Sequence, residues 1–565
     1  MGGIGGIGII GKPMTSPDIA PTEKPPEPSR VMASVLMAIE LLVLCVVLAL
    51  AWKAWRVWPR VPLADPDTWG YLNPALTWLS GQGFQQTDGR DWLYPTMLAM
   101  FLKTTGTFTG IAAWQKFLGL CSGIFMAITW RCWVSLLPFN RWVRFVLLLL
   151  GVWPIYVALV NQQTIFFAMS LRPESVLPLF VYAQLACVMG YCKYRWQTPR
   201  SNPAMLLGIA AIALAYGCLV LKPSWYFATI TTSLPVAIGF FGRALPLRVR
   251  LWTPILGVVA ALAIFSLPAR FFVIRDGASV TLLPDALLCV HAEFVEHDLN
   301  AKLAAMPDSD PGKTRLRDFV GVLDSEIHNA KNQHKVYEKL GFNADYLMHS
   351  DTLSKAITVY AGDARGKFRK FCLNEYFSAV LHAPLAYTQK ILRQFMHFVQ
   401  PESKTFFDDQ VNLSKAYHDT ATVWNGKGLA RLTSDVEEMY VEYGRQIDLQ
   451  AAQTGLMAKY PLMRKFRDKV AAVALPLELL FLGSLILTVL WSRLHKLRIA
   501  GWAVLFLFLA PAGNAFGVCI VHTLDIYRYR ATYGGYLLFS LAAMAVFIGI
   551  VVVQAIASQR VSTAK

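Results

Sequence analysis

Charged residues are scarce in this chain of 565 residues. Asp, Glu, Lys and Arg make up 16%, where a soluble globular chain carries about 25%. With 55% hydrophobic residues and a mean hydropathy of +0.42, that deficit argues against an ordinary soluble enzyme. Also missing are a CxxC pair, a P-loop, a GxGxxG turn after a strand and an HExxH pair. Their absence removes the usual nucleotide cradles and zinc-protease chemistry. No period of 20–50 residues recurs, which weakens a transporter built from repeats. Cysteine is sparse: seven of the nine lie in or beside apolar runs and read as small packing residues. Cys289 and Cys372 stand apart in polar sequence and could pair in an oxidising compartment.

The formal charge of +17 is a first hint of a nucleic-acid partner, but its distribution excludes one. Residues 270–470 hold 26 Lys and Arg against 25 Asp and Glu. The remaining 364 residues hold 27 against 11, so the basic excess belongs to the apolar part. That is the pattern of positive loops between membrane helices.

A helix needs about 20 apolar residues to cross a bilayer. Ten such runs are legible, at about 31–52, 111–133, 143–161, 173–192, 204–221, 224–241, 251–269, 471–491, 499–521 and 533–554. Four basic clusters fall in alternate connections: Arg131, Arg141 and Arg144; Lys193, Arg195 and Arg200; Arg243, Arg248 and Arg250; Arg493, Lys496 and Arg498. The positive-inside rule makes those loops cytoplasmic, which puts both termini inside. Expected, then, is an α-helical polytopic membrane protein of about ten spans. A Gly- and Pro-rich disordered tail (1–30) leads into an N-terminal membrane module (31–269) with an outer loop at 53–110. A mostly α-helical extracytoplasmic domain (270–470) is inserted before the last three spans (471–554), and 555–565 form a cytoplasmic tail. Within 270–470, His291 to Asp298 reads as a solvated helix rather than a metal site.

Because the membrane part has only 11 acids, each can be weighed. Asp18, Glu23 and Glu27 belong to the tail; Glu40 and Glu478 lie inside spans; Asp65, Asp67, Asp88, Asp91, Glu174 and Asp525 gather on the outer side. Ionisable groups at membrane depth are expensive and therefore functional candidates. In Asp65-Pro66-Asp67 the proline holds the preceding residue extended, which can aim two carboxylates into one cleft. Such a pair can act as a general base or bind a divalent ion through hard oxygens. Lys116, Arg172, Lys222, Arg528 and Arg530 lie at outer span ends, against the positive-inside expectation. An anionic ligand would explain them, since Arg can hold a phosphate bidentately. His522 stands beside Asp525 on the same face.

Several segments resemble bacterial GT-C glycosyltransferases, the polytopic relatives of protein O-mannosyltransferases and lipid A aminoarabinose transferases. They are Asp65-Pro66-Asp67-Thr68-Trp69-Gly70-Tyr71-Leu72-Asn73-Pro74-Ala75, then Gly81-Gln82-Gly83-Phe84, Arg90 and Tyr94-Pro95. Ala113-Trp114-Gln115-Lys116 with Leu118-Gly119, Leu171-Arg172-Pro173-Glu174, and Asp525 through Arg530 complete the set. The resemblance covers about 31–270 and 520–555 and implies a GT-C-like fold. It implies transfer of a sugar from a polyprenyl-phosphate donor to a glycan, lipid or protein acceptor on the outer face of a bacterial inner membrane. It also implies Asp67, with Asp65 second, as the base. Arg90, Lys116, Arg172, Lys222, Arg528 and Arg530 would hold the donor phosphate, with Glu174, His522 and Asp525 beside them. The second outer loop begins Asn161-Gln162-Gln163 and lacks an Asp, which counts against a two-acid metal site. No cofactor is demanded, and a divalent metal stays open. Two rivals remain: a transporter or flippase of lipid-linked saccharides, and a non-enzymatic envelope assembly protein.

Overall fold

A computed structural model describes residues 30–87, 89–241, 245–274, 281–362, 365–399, 410–425, 432–453, 455, 457–459, 461–523 and 527–563. The N-terminal tail expected to be disordered lies almost wholly outside the described residues, as do Asp88 and Asp525. The described residues are 84% helical.

Among the described residues, eight helices are long and apolar enough to cross a membrane: Val31–Arg56, Phe108–Ser135, Arg141–Val160, Ser201–Leu221, Leu247–Phe272, Asp468–Leu490, Ser492–Val521 and Gly534–Gln559. Their free faces carry exposed Leu41, Leu42, Val258, Val259, Leu479 and Leu480. A water-soluble protein would not present such a belt, whereas lipid solvates it. The chain is therefore an α-helical polytopic membrane protein. Two of the ten expected runs, 173–192 and 224–241, are not among these eight. The first starts as a 3-10 turn, Pro173–Ser175, before the 16-residue helix Leu177–Cys192. The second opens with the turn Pro223–Trp225 and yields only the 14-residue helix Tyr226–Gly239. At 1.5 Å per residue the latter reaches about 21 Å, short of a hydrocarbon core of about 30 Å. Proline at each start removes the donors that would extend a regular helix backwards.

The loop after the first span folds into helices Thr68–Leu79 and Leu93–Thr105, which pack on each other. Between them, Phe84–Gln85 pairs in parallel with Val273–Ile274. Within the polar domain, helices from Leu283 to His382 enclose a core that includes Leu288, Leu323, Ile327, Phe342 and Phe371. Cys289 and Cys372, whose pairing the sequence leaves open, are both buried there as free thiols. His291 is a further correction. It is 1% exposed at the junction of helices Leu283–Val290 and Ala292–Ala305, and its Nε2 donates to the Ile520 carbonyl at 2.8 Å. Docking of the polar domain on a span end buries what the local pattern reads as solvated. On the first span, Glu40 pairs with the half-exposed Arg131.

A second helical pair, Leu413–Asn425 and Ser434–Ala451, binds the polar domain to the first loop through aromatic rings. Trp424 stacks on Trp69 with centroids 4.8 Å apart, and Tyr443 stacks on Phe108 at 4.2 Å. This joint fixes the segment just before Asp65, where the site begins.

Candidate functional site

Two backbone hydrogen bonds lay residues 63–65 beside 170–172. Leu63 N–H donates to the Met169 carbonyl and Leu171 N–H donates to the Leu63 carbonyl, each at 2.8 Å. The polar domain braces the same strand-like segment. Tyr417 donates its hydroxyl to the Val61 carbonyl at 2.6 Å, Tyr443 to Pro62 at 2.7 Å, and Thr420 to Ala64 at 3.1 Å. Asp65 and Arg172 are thereby held side by side before any side chain is considered.

The two aspartates then divide their work. Asp65 Oδ1 accepts from the backbone N–H groups of Asp67 and Thr68 at 3.0 and 3.2 Å, capping helix Thr68–Leu79. Thr68 Oγ1 accepts in return from the Asp65 N–H at 2.9 Å. Such a reciprocal cap satisfies donors at a helix start. Asp65 Oδ2 receives Arg172. With Asp65 doing the capping, the Asp67 side chain makes no cap bond and faces outward. Arg90 donates to Asp67 Oδ1 at 3.0 Å, Arg172 to Oδ2 at 3.0 Å, and Arg528 also reaches Oδ2.

Each guanidinium has its own support. Arg90 lies over the Tyr71 ring at 4.9 Å and crosses Gly70, where a Cβ would sit 3.1 Å from its Cγ. Gly89 before it has φ +70°, a left-handed turn that favours glycine. Arg528 stands in the first turn of the last helix, Tyr527–Thr563, over the Tyr529 ring at 4.9 Å. Lys222 Nζ lies 5.2 Å from the same ring and donates to Glu174 Oε1 at 3.0 Å. Burial and neighbouring Arg528 together press Arg172 down to about 10, with Glu174 opposing them. Among the described residues, four cations (Arg90, Arg172, Lys222, Arg528) thus meet three carboxylates (Asp65, Asp67, Glu174). Over these seven described groups positive charge exceeds negative by one.

Five of these groups, Asp65, Asp67, Arg90, Arg172 and Arg528, line the floor of a cavity of about 1570 Å³. Sites for small molecules run to about 1,000 Å³, so this one has room for something larger. One flank is apolar and built from span ends, with Phe167, Val220, Phe227 and Ile520. The opposite flank belongs to the polar domain and carries Tyr337, Asp345, Lys415, Asp419 and Thr420.

His522 lines the cavity and its Nε2 lies 3.3 Å from Asp345 Oδ1, while Tyr337 donates its hydroxyl to Asp345 Oδ2. Burial acts to raise Asp345, but the His522 and Tyr337 hydrogen bonds and the His522 charge outweigh it and hold the carboxyl at about 2, below the usual 3.8. A depressed carboxyl contributes stability above its unfolded pKa and loses it as pH falls through the folded one. The contribution of this contact is therefore full above 3.8 and fades towards 2. Thermal midpoints of wild type and Asp345→Asn are expected to differ at about pH 5 and to converge towards about pH 2.

Not every predicted ligand joins the cluster. Lys116 turns away: its buried Nζ donates to the carbonyls of Trp55, Trp58 and Pro59 at 3.2–3.4 Å. It satisfies the frayed end of the first span rather than facing the cavity. Glu174 and Lys222 form a buried pair, 5% and 8% exposed, behind the cavity floor. Lys222→Met leaves the Glu174 carboxylate without its closest cation, and breaking a buried pair costs about 3–5 kcal/mol. A lowered thermal midpoint, largely restored by adding Glu174→Gln, is the expected result. Asp525 and the Arg530 side chain lie outside the described residues. Among the described residues no three His, Cys, Asp or Glu side chains group to hold a metal. Asp345, Tyr337, Tyr417, Thr420 and Tyr443 are site-building residues that the sequence reading did not single out.

No protein-family model, curated protein or solved structure matches this chain. The glycosyltransferase resemblance therefore rests on the quoted sequence motifs alone.

Proposed function

We propose that the chain is a GT-C-like membrane glycosyltransferase that moves a sugar from a polyprenyl-phosphate donor to a glycan, lipid or protein acceptor. The observation that carries this reading is the floor of the large cavity, where three guanidinium groups meet one carboxylate, Asp67, beside an apolar flank. A polyprenyl chain suits the flank and a phosphate suits the cations. On this reading the short helices Leu177–Cys192 and Tyr226–Gly239 complete ten membrane segments. The basic loops then put both termini in the cytoplasm and the polar domain in the periplasm of an inner membrane.

In the proposed reaction the donor phosphate enters the cluster whose described groups carry one excess positive charge and competes with Asp67 for Arg172 and Arg528. Asp67, released from part of that pairing, takes the proton of the acceptor hydroxyl. The acceptor oxygen bonds to the anomeric carbon as the bond from that carbon to the phosphate oxygen breaks, with inversion. The charge that develops on the departing lipid phosphate is met by the arginines, already in place and needing little reorganisation. Asp65 keeps Asp67 and Arg172 in register through the helix cap.

Equilibrium binding of polyprenyl phosphate to the purified full chain tests this reading. Tight binding is expected, much weaker for inorganic phosphate, and reduced about 10-fold or more by Arg528→Ala, since a charged hydrogen bond is worth about 1.5–3 kcal/mol. Binding that ignores Arg528, or that inorganic phosphate matches, would sink it.

A further inference from the structure

A basic and apolar hairpin stands out in the polar domain, apart from the reaction assigned to the cavity. Helices Arg365–His382 and Pro384–Val399 pack on each other and are joined at Ala383. Phe377, Leu381 and Leu385 follow at four-residue intervals and are 54%, 76% and 79% exposed. Leu392 and Met396 extend the exposed apolar set along the second helix. Residues 365–399 contain six Lys and Arg against one acid, Glu375, and Lys367, Lys370 and Arg393 are exposed. The helix Pro384–Val399 is amphipathic, and exposed leucines beside basic residues at this turn fit neither a core nor a solvated face.

The position of the hairpin identifies what covers it. Lys390, on its second helix, donates to the Val290 carbonyl and to His291 Nδ1 at 3.1 Å. His291 in turn donates from Nε2 to Ile520, in the last turn of the span Ser492–Val521. The helix Pro384–Val399 also packs against Arg498–Val521 and Pro461–Leu490. It therefore packs against two of the membrane helices, near the Ile520 end of one of them. Phe377 belongs at once to the exposed stripe and to the cavity wall.

We infer that this hairpin lies in the interfacial layer of the bilayer, with Phe377, Leu381 and Leu385 among the acyl chains and Lys367, Lys370 and Arg393 on anionic headgroups. Burying such leucines supplies the binding energy, and each basic residue near an anionic surface adds to it. The polar domain is thus anchored to lipid as well as to the bundle, and one edge of the cavity faces the membrane directly.

The test uses the full chain with Cys45, Cys121, Cys132 and Cys187 changed to Ser, which removes the cysteines that are not buried. Leu381→Cys and Leu385→Cys are labelled with an NBD fluorophore in phosphatidylglycerol nanodiscs, with and without lipid spin-labelled near the headgroup. Arg317→Cys, exposed on the helix Pro311–Asn332, is the solvent control. Emission at 381 and 385 is expected to fall by about half or more with the spin-labelled lipid, and at 317 to stay constant. Equal responses at all three positions would overturn the inference. So would blue-shifted emission at 381 and 385 that the lipid does not quench, which would assign the stripe to a protein partner instead.

Discussion

Asp67→Asn is expected to abolish sugar transfer while leaving polyprenyl phosphate bound at least as tightly as in wild type. The substitution keeps the shape of the side chain and removes its charge and its capacity to take a proton. Loss of a general base lowers turnover by about 10²–10⁴. The binding expectation follows from the contacts of the unliganded site, where Arg90, Arg172 and Arg528 all spend hydrogen bonds on Asp67. An amide competes less well with phosphate for those groups, so the dissociation constant should fall. Weaker binding would mean that Asp67 helps to hold the phosphate, for instance through a divalent ion, rather than competing with it. Asp65→Asn is the companion variant. It keeps the accepting oxygen of the cap but loses the charge paired with Arg172, so stability should drop with activity only partly reduced. Intact transfer in both variants would remove the catalytic assignment altogether.

Arg172→Ala carries the second large effect. This guanidinium donates to both Asp65 and Asp67 and lies 4.0 Å from Glu174, so it serves three carboxylates at once. Its loss leaves negative charge concentrated where a phosphate must approach. Removing one preorganised donor from a developing oxyanion costs about 10²–10³ in turnover, and here donor binding should weaken as well. Arg172→Lys should recover part of the stability but little of the turnover, because a single ammonium cannot reproduce a planar fork that spans two acids. Turnover and thermal midpoint measured on the same preparations separate the two losses. Full activity in Arg172→Lys would show that only charge matters at this position.

Much of the cluster was legible because of scarcity. In a membrane module with 11 acids, Asp65, Asp67 and Glu174 were conspicuous, and so were the cations that broke the loop-charge rule. The structure brings Arg90, Arg172 and Arg528 onto Asp67 and sets Lys222 on Glu174. Lys116 looked equivalent, but the unpaired carbonyls of a helix end leave no mark in the sequence. In the polar domain the same reasoning had no purchase, because its nearly balanced composition makes no single residue conspicuous. Asp345, Thr420 and Tyr443 matter through contacts more than 100 residues away in the chain, which no local pattern reports. His291 failed for a related reason: its neighbours read as an exposed helix, and only the span end at Ile520 buries it. The spans were legible where apolar runs were uninterrupted, and two fell short where proline opens the helix.

The central claim concerns bond exchange at the cavity floor, and transfer in reconstituted vesicles tests it most directly. The full chain, supplied with a panel of polyprenyl-phosphate sugars labelled in the sugar and with a membrane extract as the source of acceptor, is predicted to move label from lipid to acceptor. It should release polyprenyl phosphate in equal amount, and Asp67→Asn should stop both. Label that crosses the bilayer still attached to its lipid, with no phosphate released and no dependence on Asp67, would contradict the account and make the protein a flippase.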